Sequence, residues 1–462
     1  MRFLLTPWAE RSPLARGLLL CLATAGAAVV LFLTMTQPDT GAGLLVANVF
    51  ATPTWVMRSV ARRLVNNAVF AGTVNRSYDD KFRVQGAKVG AKVQARLPQR
   101  YQITVGATLN ATPLQDNTVD IEITDQSNIG FEYGSWSATL VVDDYMERYG
   151  NPAVDQLVNN IDYTGLTRCY KKVAKYAGTP NVPPGSSGTL PQAAMQPYVD
   201  AVTKLRDAGA PAPYVGMLSA NMHGYAMTGM AELFNPTGAI AANFRNGQFA
   251  GPALGVSKWH MDQNVTSHTI GALGGTPLVN GASQTGASII CDGAGASAIS
   301  GYLLEGDIVN FAGVYEINPL SHAAKTRLKD FVVTADVASI VTTGAVTIPI
   351  SPSIITSGEW ATCSASPANN AAVTIFGHAS SYAGVVTEQA LIYNKDAFAL
   401  VMADAELPKG LWVAERISNA KLGISIRFLK DYSIKDDLSA ARLDTFHGWE
   451  TIRQELSARV CG

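Results

Sequence analysis

DDYMERYGNPAVDQLVNNID, residues 143–162, carries the strongest helical signal in the chain and sets its architecture. Tyr145, Tyr149, Ala153, Leu157 and Ile161 recur at steps of four, the spacing of one helix face. Asp143 and Asp144 precede them, where the positive end of a helix dipole favours acids. The pattern predicts a helix continuing to about Tyr176, roughly 30 residues and about 45 Å long. Pro152 removes the bond to the carbonyl of Arg148 and predicts a kink there. A lone helix of that length acts as a beam for other elements to pack on.

On its N-terminal side the pattern changes. KVQARLPQRYQITV (92–105) and NTVDIEIT (117–124) alternate apolar and polar residues, which predicts a long β-hairpin or extended loop over 78–125. Trp55 to Phe70 reads as an amphipathic helix, with Val56, Val60, Leu64 and Ala68 on one stripe and Arg58, Arg62 and Arg63 off it. On the C-terminal side TPNVPPGSSG (179–188) is a linker, and Met195–Asp207 and Ala220–Phe234 read as helices. From Met261 to Ser300 the only charged residues are Asp262 and Asp292. Short strands with turn signals follow, predicting a small β-barrel or sandwich over roughly 270–380. It is bracketed by mixed α/β material and therefore reads as an insertion. Residues 385–462 return to mixed structure. The fold class is α+β.

Charged residues make up 15% of the 462, against a usual figure of roughly 25%. Thirty-five basic and 36 acidic side chains leave a net charge of −1. This disfavours a strongly basic nucleic-acid reader and excludes an acidic disordered chain. The balance hides a local split. Residues 51–100 carry ten basic groups against two acids, +8, and residues 111–160 carry nine acids against one base, −8. A basic arm beside an acidic beam suits docking between subunits, because complementary patches steer and orient association. The candidate contact residues are Arg58, Arg62, Arg63, Arg83, Lys88, Lys92 and Arg96 on the basic side and Asp143, Asp144 and Glu147 on the acidic side. The competing readings are that each patch is solvated or that the two pair within one chain.

Chemistry-bearing motifs are missing. No phosphate loop, HExxH or GxSxG stands in the sequence. The five cysteines show no CxxC spacing, which argues against a zinc knuckle or a disulfide framework and for reduced thiols. His260 and His268 with Asp262 between them come nearest to a cluster, and loop residues are the simpler reading. GAGAS at 293–297 lacks the third glycine of a dinucleotide fingerprint. The expectation is no catalytic residue, no metal, no cofactor and no small-molecule substrate.

Gly17 to Met35 is an uninterrupted apolar run preceded by Arg2, Arg11 and Arg16. It reads as a transmembrane helix or signal anchor, as a cleaved leader, or as sequence upstream of a true start at Val46.

Five segments together resemble the major capsid proteins of tailed bacteriophages with the Hong Kong 97-type fold, in the branch of the short-tailed Salmonella phage coat protein. They are ANVFATPTWVMRSVARRLVNNAVFAGTVNRSYDD (47–80), the spine-like stretch 143–162, LLEGDIVNFAGVYEINP (303–319), LIYNKDAFALVMADAELPKG (391–410) and GISIRFLKDYSIKDDLSAARLDTFHGW (423–449). The resemblance covers about 46–462, and its start favours an upstream mis-start over an anchor. It implies a doubtful leader at 1–45, an N-terminal arm at 46–75, an extended loop and peripheral strands at 76–142, and a spine helix at 143–178. It further implies axial material at 179–270, an inserted β-barrel domain at 271–384, and axial and peripheral strands at 385–462. A chain of this kind assembles as hexamers and pentamers into an icosahedral shell around double-stranded DNA. Its partners are a scaffolding protein and a portal protein, and its place is the virion after assembly in the host cytoplasm. The alternative is a membrane-anchored extracellular β-rich binding protein.

Overall fold

The computed structural model describes residues 68–78, 92–101, 103, 106, 107, 116–134, 151–186, 191–229, 249, 251–295, 299–338, 344–376, 382–419 and 424–462. The elements, in chain order, begin with a short helix α1 (Val69–Thr73), strands β1 (Lys92–Arg96), β2 (Thr118–Glu122) and β3 (Asp125–Gly134), and the long helix α2 (Asn151–Cys169). Then come β4 (Tyr176–Gly178), α3 (Pro191–Asp207), β5 (Tyr214–Leu218), α4 (Ala220–Gly229), β6 (Lys258–Met261) and β7 (Ser267–Thr269). The next group is β8 (Leu278–Val279), β9 (Gly286–Asp292), β10 (Ile308–Phe311), β11 (Tyr315–Ile317), β12 (Ala324–Leu328), β13 (Phe331–Val333), β14 (Val346–Ile354) and β15 (Val373–Ile375). The chain closes with β16 (Val386–Asn394), β17 (Phe398–Ala403), β18 (Val413–Asn419), β19 (Ile424–Ser433), β20 (Leu438–Thr451) and β21 (Ser457–Cys461).

Helix α2 buries Val154, Leu157, Val158, Ile161, Leu166 and Cys169, the stripe that steps of three and four dictate. It lies on the sheet containing β20, where Gly165 leaves room for the Trp449 ring and the Trp449 indole N–H donates to Ile161 O at 3.1 Å. In this second sheet β20 pairs with β3 and β19 along its first half and with β17 along its second. The other body sheet runs β4-β21-β16-β5-β6, with β7 added to the start of β16. Helix α3 covers it with Ala194, Tyr198, Ala201, Val202 and Leu205, all buried. All of these side chains share one core.

Six of the eight strands between β7 and β16 form a separate path, β15-β10-β13-β14-β9-β8, around its own core of Ile289, Phe311, Phe331, Ile348 and their neighbours, while β11 and β12 pair with each other. The two ends of the path meet. Val279 N donates to Ala371 O at 3.0 Å, Asn370 N donates to Val279 O at 2.8 Å, and Val373 N donates to Pro277 O at 3.1 Å. The chain enters and leaves this module through adjacent strands, with Ser267, His268 and Thr269 of β7 opposite Glu388, Thr387 and Val386 of β16.

Several expectations change. The beam helix does not reach Tyr176. A 3₁₀ turn at Tyr170–Lys172 ends it and Val173 is extended, because Tyr176–Gly178 is recruited as a parallel partner of β21. The segment Asp143–Gly150, against which a kink would show, lies outside the described residues; Pro152 itself is helical, the second residue of α2. Ala68 is not helical, so the stripe drawn through it from Val56 stops before α1 begins at Val69; Trp55 to Asn67 lie outside the described residues. Helix α3 starts four residues earlier than read, with Pro191 at its first position, where a missing N–H costs nothing. The hairpin is present: β1 and β2 pair antiparallel from Lys92↔Glu122 to Arg96↔Thr118. The apolar run Gly17–Met35 lies outside the described residues, among which no helix is long and apolar enough to cross a membrane.

Candidate assembly interface

Of the ten candidate contact residues, Arg58, Arg62, Arg63, Arg83, Lys88, Asp143, Asp144 and Glu147 lie outside the described residues. Lys92 and Arg96 open and close β1, both exposed. Lys92 pairs with Glu122 directly across the hairpin, and the hydrogen bond to that carboxylate raises the ammonium pKa. Arg96 makes no ion pair among the described residues. Beyond the hairpin, Arg100 reaches Glu455 at 3.3 Å and lies over the Trp360 ring at 5.0 Å. Asp125 of the acidic block takes Arg168 at 2.8 Å. Part of the +8 and −8 split is therefore paired within the chain, while Arg96 still faces water.

The structure also builds a polar seam, invisible in the sequence, where the six-stranded module meets the body. Lys204 of α3 donates to Asp330 Oδ2 at 2.6 Å, and Asn310 Nδ2 donates to Asp330 Oδ1 at 2.9 Å. The same ammonium lies 4.4 Å from the centre of the Tyr176 ring. Lys325 pairs with Asp207 at 3.0 Å, Arg327 with Asp200 at 3.7 Å and Lys171 with Glu305 at 2.9 Å. In each pair one residue comes from the body and one from the module. Close by, Lys175 donates to Glu455 O at 2.6 Å, and burial pushes its pKa down to about 7.

At the pivot the module touches the body through buried groups. Asp307 accepts Leu304 N at 2.8 Å and Gly271 N at 3.1 Å, and its other oxygen meets His268 Nε2 at 2.8 Å. With Nε2 donating, His268 Nδ1 is left to accept the Tyr170 hydroxyl at 3.3 Å. Arg459, 1% exposed, donates to the carbonyl of Gly306. Gly306 has φ +105°, and a Cβ there would stand 3.2 Å from the His268 ring. Arg459 Nη1 reaches Gln389 Oε1 at 3.5 Å, while its Nε is buried without a hydrogen-bond partner, so the cost of burying this guanidinium is only partly offset. His268 thus belongs to a structural pair, while Asp262 accepts Asn264 N at 2.8 Å and His260 sits on β6. The two histidines and Asp262, near in sequence, do not converge.

Among the described residues no group of three or more His, Cys, Asp or Glu is placed to hold a metal. Cys169, Cys291, Cys363 and Cys461 are free and buried, and burial raises every one of their pKa values, Cys291 to about 12. Thiols in that state are poor nucleophiles. Gly293 and Gly295 of the GAGAS run have positive φ and pack on backbone, with Thr276 N donating to Gly293 O at 2.9 Å and Ala294 N to Gly344 O at 3.0 Å. These glycines allow two segments to approach closely.

No curated protein matches the chain. Among solved structures, a protein of Mycobacterium phage Che8 is 14% identical, with a TM-score of 0.45, over 85% of this chain and 90% of that one. The capsid of Cyanophage P-SCSP1u is 9% identical, with a TM-score of 0.40, over 80% and 83%. The mature capsid of bacteriophage PhiM1 is 10% identical, with a TM-score of 0.40, over 82% and 83%. The model of the family described as "P22 coat protein - gene protein 5" matches residues 47–458. With nearly all of the described structure inside that match, the chain belongs to the P22 coat protein family and is a bacteriophage major capsid protein, a subunit of an icosahedral shell.

Proposed function

We propose that the chain forms the hexamers and pentamers of its shell around double-stranded DNA, guided by a scaffolding protein and joined to a portal protein. Assembly takes place in the host cytoplasm, and the chain acts by packing rather than by catalysis. In this reading 46–75 is an arm, 76–142 the loop and peripheral strands, 143–178 the spine, and 179–270 with 385–462 the axial and peripheral body. The module at 271–384 is an inserted β-barrel domain. The observation that carries the reading is the family match over 47–458. The paired strands β7 and β16 support the insertion, since they return the chain to its point of departure. Many weak contacts repeated by symmetry allow each interface to remain polar.

Arg58, Arg62, Arg63, Arg83, Lys88, Lys92 and Arg96 meet Asp143, Asp144 and Glu147 of a neighbour in this proposal. Electron microscopy of the purified protein with its scaffolding protein tests it, and closed particles are expected. Monomers alone under those conditions would refute it. Changing Arg58, Arg62 and Arg63 together to Glu is expected to reduce particle yield while leaving the monomer's circular dichroism unchanged. An unchanged yield removes the docking argument.

A further inference from the structure

Helix α3 presents Asp200, Lys204 and Asp207 to the module, spaced four and three residues apart on one helix face. Each has a partner of opposite sign. Arg327 lies 3.7 Å from Asp200, Lys204 Nζ 2.6 Å from Asp330 Oδ2, and Lys325 3.0 Å from Asp207. Along the helix the body carries minus, plus, minus, and the module answers plus, minus, plus. The central pair is the most enclosed, with side chains 17% and 8% exposed, and the Arg327–Asp200 pair is open to water at 38% and 39%.

Other contacts between module and body lie off this helix. Arg100 lies over Trp360, Ser351 Oγ donates to Gln454 Oε1 at 3.3 Å, and Tyr176 and Phe376 meet with ring centres 3.8 Å apart. The contacts of Arg459 and His268 act at the root of the module, beside β7 and β16. The two apolar cores stay separate. None of these contacts repeats along the axis of α3, so none tells one turn of the helix from the next.

We infer that the alternating charges are a positional lock: they hold the module at one place on α3, and it leaves that place by detaching about β7 and β16 rather than by sliding along the helix. A shift of one turn is about 5.4 Å. Toward the C-terminus of α3 it would bring Arg327 to Lys204 and Asp330 to Asp207. Toward the N-terminus it would bring Asp330 to Asp200 and Lys325 to Lys204. Either shift exchanges three attractive pairs for two repulsive ones, and like charges brought together at an interface disfavour the wrong register. One-turn ratchets of packed elements are a common route of conformational change, and this pattern closes it here.

Nitroxide labels at Tyr225→Cys on α4 and Ile290→Cys on β9, both exposed and both outside the seam, report the module against the body in the full chain. Cys21→Ser removes the one thiol outside the described residues, and the other four are buried. Double electron–electron resonance should give one narrow distance with the native charges. Asp200→Lys, Asp207→Lys, Lys325→Glu and Arg327→Glu together leave Lys204 and Asp330 untouched and keep every pair attractive, but they abolish the alternation. A one-turn shift then meets no like charge, and further distances displaced by about 5 Å should appear. Asp200→Lys with Asp207→Lys alone sets like charges against Arg327 and Lys325 and should add a broad, released population. A single narrow distance in either variant overturns the proposal. If the fourfold variant fails to melt cooperatively, Asp200→Lys with Arg327→Glu decides at two exposed sites. Each one-turn shift then meets one like-charge pair instead of two, so the distribution must broaden, and an unchanged narrow distance overturns the proposal.

Discussion

Asp330→Ala removes the acceptor at the centre of the seam. Asp330 is 8% exposed and answers both the Lys204 ammonium and the Asn310 amide. Deleting one partner of a buried ion pair costs about 3–5 kcal/mol, because the other charge stays behind unpaired. Lys204 retains 17% side-chain exposure and its place over the Tyr176 ring, so some water and the ring's negative face remain to it. The lower end, about 3 kcal/mol, follows. Lys204→Met should cost less, since Asp330 keeps Asn310. The double variant should then show a coupling of about 1–3 kcal/mol, as expected for groups in one network. Urea unfolding followed by tryptophan fluorescence measures all three, with Trp360 in the module and Trp259 and Trp449 in the body. The coupling should persist at 1 M NaCl, because buried pairs are poorly screened. A cost below about 1 kcal/mol for Asp330→Ala, or additivity of the two changes, would refute the argument that this pair fixes the module to the body.

Gly165→Ala reverses the ordinary rule that alanine improves a helix by about 1 kcal/mol. The added Cβ would stand 2.5 Å from the Trp449 ring, so the melting temperature should fall, and calorimetry checks it. His447 is fully buried, its ring nitrogens have no hydrogen-bond partner, and burial holds its pKa down at about 4 despite the pull of Asp125. Unfolding lets the ring charge, so as the pH falls from about 6.5 to about 4 this residue withdraws about 3 kcal/mol of stability. His447→Phe should remove that part of the acid limb in urea midpoints recorded against pH.

Local periodicity was readable wherever the structure is local. Leu157 and Ile161 face the core as their spacing required, and the alternation of 92–96 and 118–122 became a paired hairpin. What the sequence could not show was pairing across distance. Lys204 and Asp330 are 126 positions apart, and nothing near either residue marks the other. The helix reading ran past Cys169 because a periodic stripe carries no information about the strand waiting at Arg459–Cys461. His260, Asp262 and His268 were grouped by proximity along the chain, yet each packs into a different environment.

The side-by-side arrangement of β7 and β16 has a consequence for how the chain can change. The excursion from Thr269 to Val386 begins and ends on facing residues. To the body, the whole module is therefore equivalent to the turn of a hairpin. Loop-closure entropy grows only logarithmically with length, and each doubling costs about 0.6 kcal/mol. The body is thus nearly indifferent to the size of what it carries at this point. Another compact unit with neighbouring ends could replace the module without disturbing the register of either sheet, leaving only the seam to be remade.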